Sequence, residues 1–297
     1  MVQQAALFPG FRVVDVDSGG VRVHALAGGS GPPLLLLHGY PQTLAIWHRL
    51  APRLAARFTV VAADLRGYGD SGKPATDSRH APYSKREMAK DPLAAMRALG
   101  FARFCVAGHD RGARVAHRMA MDHPEAVTRL AVLDISPTLA MYEQTDMAFA
   151  SAYWHWFFLI QKAPVPETLI GADPRFYLRH KMGDGAAGMK PFDPRAWAEY
   201  ERCLTPESIH ATCEDYRAAA TIDLEHDRAD REAGRRVECP LLALWGAHGV
   251  VERCFKPLED WGRVAHDVRG RALPAGHYLP EEVPDLVAQE FESFFGG

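Results

Sequence analysis

Short apolar runs bounded by turn residues punctuate the chain and predict buried strands. Val13–Val16 and Val21–Ala27 flank Ser18-Gly19-Gly20 and read as a hairpin. Leu34–Leu37 runs into His38-Gly39-Tyr40-Pro41, and Val60–Ala63 runs into Asp64-Leu65-Arg66-Gly67-Tyr68-Gly69. Phe104–Ala107 follows, then Leu130–Leu133 ending at Asp134, Leu241–Trp245, and a weaker run over Val268–Leu273. Helical patterns lie between them, over Thr43–Ala56, Ser84–Leu99, Arg111–Asp122 and Glu282–Phe295. Ser84 with Glu87 three residues later forms a capping box. Strands that alternate with helices predict an α/β fold, a mostly parallel sheet with helices on both faces.

The rhythm breaks between Ser136 and His226. This stretch is rich in aromatics, looks helical and is punctuated by Pro164, Pro166, Pro174, Pro191, Pro194 and Pro206. It reads as an all-helical cap inserted over the ends of the sheet. The expected organisation is a first core part at 1–136, a helical cap at 137–226 and a second core part at 227–297. No internal repeat or low-complexity tract is present.

Composition narrows the partners. With 34 basic and 37 acidic residues, a net charge of −3 and 47% hydrophobic content, the 297-residue chain has no nucleic-acid footprint or membrane-attracting face. An anionic ligand must be held by a local cluster of cations. Cys105, Cys203, Cys213, Cys239 and Cys254 are scattered and form no CxxC pair, so they read as free thiols of a reducing cytosol. The start, MVQQAALFPGF, lacks the regions of a signal peptide, and no apolar run would span a bilayer. A cytoplasmic location is expected.

The chemistry centres on Gly108-His109-Asp110-Arg111-Gly112, placed between a strand and a helix. This is the outline of a nucleophile elbow, with aspartate where serine is usual. Such a turn sets Asp110 above the sheet beside the first free amides of the helix, which favour its ionised form. A plain N-cap aspartate is the competing reading. His277 lies in the loop after the last strand, where this architecture places a general base, and Asp134 follows the next strand and could orient it. The alternative loop for the acid, GAHGVVE, contains no aspartate and offers only Glu252. Backbone amides of Tyr40 and Arg111 would converge on a developing oxyanion. His38 reads as structural, pinning the loop.

Together these features resemble the α/β-hydrolase superfamily over essentially the whole chain. Within it, an Asp nucleophile points to dehalogenases and epoxide hydrolases, which form an alkyl ester that water reopens. Those enzymes commonly carry Trp after the nucleophile. Here Arg111 follows, with Arg114 one helical turn on, and a guanidinium pair can hold a small carboxylate. The competing reading pairs Arg114, and even Arg111, with a cap carboxylate. The cap adds Tyr153-Trp154-His155-Trp156 and Glu214-Asp215-Tyr216-Arg217. His155, Trp156 and Tyr216 offer N–H and O–H donors of the kind that a charge-dense fluoride needs, although a Trp ring is more often core packing.

The motifs HGYPQT, DLRGYGDSGKP, GHDRGAR, LDISPT, CEDYRA and AGHYLPEE narrow the resemblance to fluoroacetate dehalogenases. That family implies Asp110 as nucleophile, His277 as base, Asp134 as its partner, Arg111 and Arg114 at the substrate carboxylate, and His155, Trp156 and Tyr216 at the halide. It also implies a homodimer. The sequence departs at the glycine-rich segment 183–188, where members of that family carry a tryptophan beside the pocket, so pocket volume is open. No motif for a metal, nucleotide or redox cofactor appears. An epoxide hydrolase using Tyr153 and Tyr216 is the enzymatic alternative, and a non-catalytic small-ligand receptor of the same fold is the other.

Overall fold

The apolar runs become eight strands of one sheet: β1 (Arg12–Ser18), β2 (Val21–Gly28), β3 (Pro33–Leu37), β4 (Thr59–Ala63), β5 (Phe104–His109), β6 (Val127–Leu133), β7 (Leu241–Gly246) and β8 (Val268–Leu273). The computed structural model describes residues 6–183 and 187–296. The order across the sheet is β1-β2-β4-β3-β5-β6-β7-β8. β1 and β2 form the expected antiparallel hairpin, β2 lies antiparallel to β4, and the other pairs are parallel. Alternate residues of each central strand feed opposite cores. Leu35, Leu37, Val61 and Val106 pack on one face, and Leu34, Leu36, Val60 and Ala107 on the other. This two-sided burial explains why the strands read as unbroken apolar runs.

Helices α1 (Lys85–Ala98) and α2 (Arg111–Asp122) follow β4 and β5. Ser84 caps α1 by accepting the Glu87 amide at 3.3 Å. Between β6 and β7 come α3 (Thr138–Glu143), α4 (Met147–Ala152), α5 (Trp154–Leu159), α6 (Val165–Ala172), α7 (Pro174–Gly183), α8 (Pro194–Cys203), α9 (Pro206–Ala219) and α10 (Ile222–Glu232). The boundary drawn at residue 226 falls inside α10. After β7 come α11 (Val250–Cys254) and α12 (Pro257–Gly262), and α13 (Leu279–Glu282) and α14 (Pro284–Phe295) close the described chain. Among the described residues no helix is long and apolar enough to cross a membrane.

Two expected helices differ from the pattern for one reason. Thr43–Ala56 is not one helix but a 3₁₀ turn over Leu44–Trp47 and a single α-turn over Ala51–Leu54. Pro52 cannot donate to a carbonyl four residues back, so the helix restarts with proline in its first turn. Likewise α14 begins at Pro284 rather than Glu282, and Leu279–Glu282 forms a separate turn. Of the glycine-rich segment, Asp184–Ala186 lie outside the described residues, as do Met1–Ala5 at the start of the chain.

Candidate active site

The carboxyl ends of β3, β5, β6 and β8 deliver Tyr40, Asp110, Asp134 and His277 to one edge of the sheet, where ligands of open α/β sheets bind. β5 ends at His109 and α2 starts at Arg111, so Asp110 alone makes the reversal, at φ +47° and ψ −113°. That is a strained conformation for a residue with a side chain. The neighbouring glycines allow it. A Cβ at Gly108 would lie 2.4 Å from the Ala113 nitrogen, and one at Gly112 would lie 2.3 Å from the His38 carbonyl oxygen.

Asp110 is buried, and the Tyr40 amide donates to its Oδ1 at 2.9 Å. The amide of Arg111, the first residue of α2, is among those a helix N-terminus leaves without an intrahelical partner. Burial raises the Asp110 carboxyl pKa, but the charges of His277 and the two arginines, among others, reverse this and hold it below its ordinary value. His38 pins the loop as expected. Its Nε2 accepts the Leu65 amide at 3.0 Å, and its Nδ1–H donates to the Gly39 carbonyl at 3.0 Å.

His277 Nδ1 lies 2.6 Å from Asp134 Oδ2, and the Gly246 amide donates to Asp134 Oδ1 at 2.8 Å. Glu252, the fallback acid, instead accepts the indole N–H of Trp245. His109 adds a support that the sequence reading did not assign. Burial drives its pKa down to about 3, so it is neutral, and its Nε2–H donates to the His277 carbonyl at 2.8 Å.

Arg111 is fully buried. Its Nε and Nη2 grip the Asp215 carboxylate at 3.0 and 2.6 Å, and Nη2 also reaches the Asp215 carbonyl at 2.9 Å. The reading that paired Arg111 with a carboxylate of the helical segment therefore describes one side of the group. The other side, Nη1, is buried with no partner. Arg114, 2% exposed, donates to Thr138 Oγ1 at 2.9 Å and the Ser136 carbonyl at 3.3 Å, and no carboxylate pairs with it among the described residues. Its Nε is also unpartnered.

The expected halide donors gather against these arginines. The Arg111 guanidinium lies 4.1 Å from the Tyr216 ring centre, and that of Arg114 lies 4.7 Å from the Trp156 ring. The ring of Tyr216 lies 6.0 Å from His155 and 6.4 Å from Trp156. His155 Nδ1, Trp156 Nε1 and the Tyr216 hydroxyl are all buried without partners. Burial pushes the Tyr216 pKa well up and the His155 pKa well down, so one keeps its proton and the other stays neutral. Tyr153 directs its hydroxyl to within 3.2 Å of His277 Nδ1. A cavity of about 360 Å³ is lined by Tyr153, His155, Lys181, His248 and His277 among others, and not by Asp110, Arg111 or Arg114.

Two clusters elsewhere bring possible metal ligands together, His24 with Asp64 and Asp70, and Glu167 with His210 and Glu214. Amides of Leu44 and Asp70 already occupy Asp64, and the Arg217 guanidinium bridges Glu167 and Glu214. A buried carboxylate on the elbow, a His–Asp pair and nearby buried donors without partners are the kinds of group that ester-forming hydrolases use.

The fold and this constellation define an α/β-hydrolase, and the chain belongs to that family, matching the α/β-hydrolase fold over residues 32–282. It is 49% identical over 290 residues to a fluoroacetate dehalogenase from Burkholderia sp, covering 97% of this chain and 95% of that one. It is 35% identical to a soluble epoxide hydrolase from Corynebacterium sp. (strain C12), over 93% and 94% of the two chains. The crystal structure of an α/β-hydrolase from Nostoc sp PCC 7120 superposes with a TM-score of 0.94 at 54% identity, over 96% and 98% of the two chains.

Proposed function

We propose that the protein is a hydrolytic dehalogenase of short 2-haloacids, with fluoroacetate as the leading substrate and glycolate and fluoride as products. The observation that carries this reading is the set of buried donors without acceptors. Arg111 Nη1, Arg114 Nε, His155 Nδ1, the indole N–H of Trp156 and the hydroxyl of Tyr216 have no partner in the protein. Leaving such groups unpaired costs about 1–3 kcal/mol each. A ligand with a carboxylate at one end and a halogen at the other satisfies both groups of donors, and the likeness to a fluoroacetate dehalogenase supports the same choice.

In this reading Tyr40 holds Asp110 Oδ1, which leaves Oδ2 to attack the α-carbon. The carbon–halogen bond breaks as the new C–O bond forms, and the halide leaves with the electron pair among His155, Trp156 and Tyr216. His277, oriented by Asp134, then takes a proton from water, which attacks the Asp110 carboxyl carbon. Oδ1 becomes the oxyanion beside the Tyr40 and Arg111 amides. Collapse breaks the bond to the glycolate oxygen, which takes the proton held by His277. The new Asp110 carboxyl gives up its own proton to solvent, so that glycolate leaves and the carboxylate is restored. The helical segment 137–226 acts as a cap that supplies the halide donors and keeps bulk water from the first step, in a cytoplasmic enzyme, as a homodimer.

The test is fluoride release from fluoroacetate by the purified protein against an Asp110→Asn control. No fluoride above that control removes the leading substrate. The second reading, an epoxide hydrolase, draws on the buried hydroxyls of Tyr153 and Tyr216. A neutral epoxide leaves both arginines without their anion, so diol formation faster than fluoride release would be needed to prefer it. Tight ligand binding with no turnover would favour the receptor.

A further inference from the structure

Arg111 poses a charge problem. Gripped by Asp215, it forms a neutral pair, and a neutral pair has little to offer an incoming carboxylate. The structure resolves this with a second buried cation. Lys85, the first residue of α1, places its ammonium against Asp215 Oδ1, the oxygen that also takes Arg111 Nη2. Tyr68 donates its hydroxyl to the other oxygen, Oδ2, at 2.7 Å, beside Arg111 Nε. Each Asp215 oxygen thus accepts two donors, which is all a carboxylate oxygen readily takes. Arg111 cannot swing away, and Nη1 is the nitrogen it has left to present.

We infer that Lys85 and Asp215 are positioning residues for the anion subsite: Asp215 aims Arg111, and Lys85 restores the positive charge that Asp215 would otherwise cancel. This rests on the reading of Arg111 as a carboxylate ligand. Lys85 is 3% exposed and Asp215 is 0% exposed, so solvent screens neither. Lys85 Nζ also lies 3.4 Å from Asp223 Oδ2, while Asp223 Oδ1 accepts the Lys85 amide at 2.8 Å. The ammonium is in hydrogen-bond contact with Asp215 and lies farther from the Asp223 carboxylate, so it serves Asp215 foremost. Arg111 and Lys85 hold the Asp215 pKa low against burial, which alone would raise it. Asp215 immediately precedes Tyr216 on α9. One turn of helix therefore sets both the aim of the carboxylate ligand and the placement of a halide donor.

The inference makes Lys85 a determinant of anionic over neutral ligands. The experiment compares wild type with Lys85→Met, Lys85→Arg and Asp215→Asn. It measures binding of acetate and of its neutral isostere acetamide by Trp fluorescence, with haloacid kinetics alongside and melting curves to report folding. Lys85→Met is expected to weaken acetate about tenfold or more and to leave acetamide unchanged, since one buried charge is lost at short range. It should raise the haloacid KM far more than it lowers kcat, because a carboxylate anchor binds ground and transition states alike. Lys85→Arg should recover most of the loss. Equal weakening of acetate and acetamide, or none for either, would overturn the inference. Wild type that binds acetate through Lys85 but releases no halide would sink the dehalogenase reading and leave the inference standing. Wild type that binds no acetate would remove both. If Lys85→Met fails to fold, Asp215→Asn decides: it removes the negative charge that Lys85 offsets and keeps both cations. Acetate should then bind at least as tightly relative to acetamide, while kcat falls as Arg111 loses its aim. A weaker preference for acetate would overturn the inference.

Discussion

Asp134 Oδ2 lies 2.6 Å from His277 Nδ1 and its other oxygen accepts the Gly246 amide at 2.8 Å, so the carboxylate fixes which face of the imidazole is basic. Asp134→Asn keeps the shape and loses the acceptor for the imidazole N–H. Ester hydrolysis should slow by about 10⁴, the scale seen when a triad aspartate is amidated. The first displacement should survive, giving a halide burst equal to the enzyme concentration and an ester mass on the Asp110 peptide. Halide burst without that mass would rule out the covalent route. Glu252→Gln should leave turnover near wild type, because Glu252 is engaged with Trp245.

Tyr216→Phe removes one donor and little volume. Fluoride is the smallest and most charge-dense halide, so its departure depends most on direct donors. Fluoroacetate turnover should fall by about 10²–10³, and bromoacetate turnover much less. Ion-selective detection of both halides gives the ratio, and equal losses would place Tyr216 outside the halide site.

Among the described residues Arg114 is a buried cation without a carboxylate partner, and burial and its neighbour Arg111 lower its pKa. Arg114→Met should cost about 10²-fold or more in kcat/KM for haloacids. Tm should hold or rise by about 2–4 °C, because an uncompensated charge leaves the interior. A lower Tm with unchanged KM would assign Arg114 to the fold alone.

Glu281 supplies a pH signature of the scaffold. It is fully buried, accepts Gln42 Nε2 at 2.5 Å and the Tyr200 hydroxyl at 3.0 Å, and burial pushes its pKa from 4.5 up to about 8. Between those values the unfolded chain ionises while the folded protein keeps the proton. The unfolded state then binds fewer protons, so stability falls as pH rises across this window and levels off above it. Glu281→Gln removes that slope. Thermal melts should show the variant gaining on wild type from about pH 5 to about pH 8 and no further gain beyond. A constant difference would mean that Glu281 is already ionised in the folded protein.

Much of this was legible because local chemistry and global fold agree. Leu34–Leu37 and Val60–Ala63 face two cores at once and so read as unbroken apolar runs. The elbow could be read because only glycine fits beside Asp110, and the halide candidates because Trp156 and Tyr216 carry donors that a pure core would not choose. Pro52 and Pro284 were visible, but an apolar period of 3.6 continues across a proline that the backbone cannot follow. The support groups were not legible. Lys85 lies 130 residues from Asp215, and His109 holds the carbonyl of His277 168 residues on. Each looks like an ordinary helix-start lysine or strand-end histidine, and only the assembled fold brings them to their partners. The one signal was Asp215 itself, a carboxylate beside Tyr216 on a helix whose face had to meet Arg111.

The unpaired donors around Arg111, Arg114 and Tyr216 have a consequence for how the protein behaves in solution. Buried donors left without acceptors attract small anions with little discrimination among them, so in the proposed reaction selectivity falls to the step at Asp110. Chloride, formate and acetate from the medium will contend for these donors, as will fluoride and glycolate, the products of the proposed reaction. Measured rates will therefore fall with the salt chosen for the assay and with accumulating product, in a competitive pattern that dilution reverses.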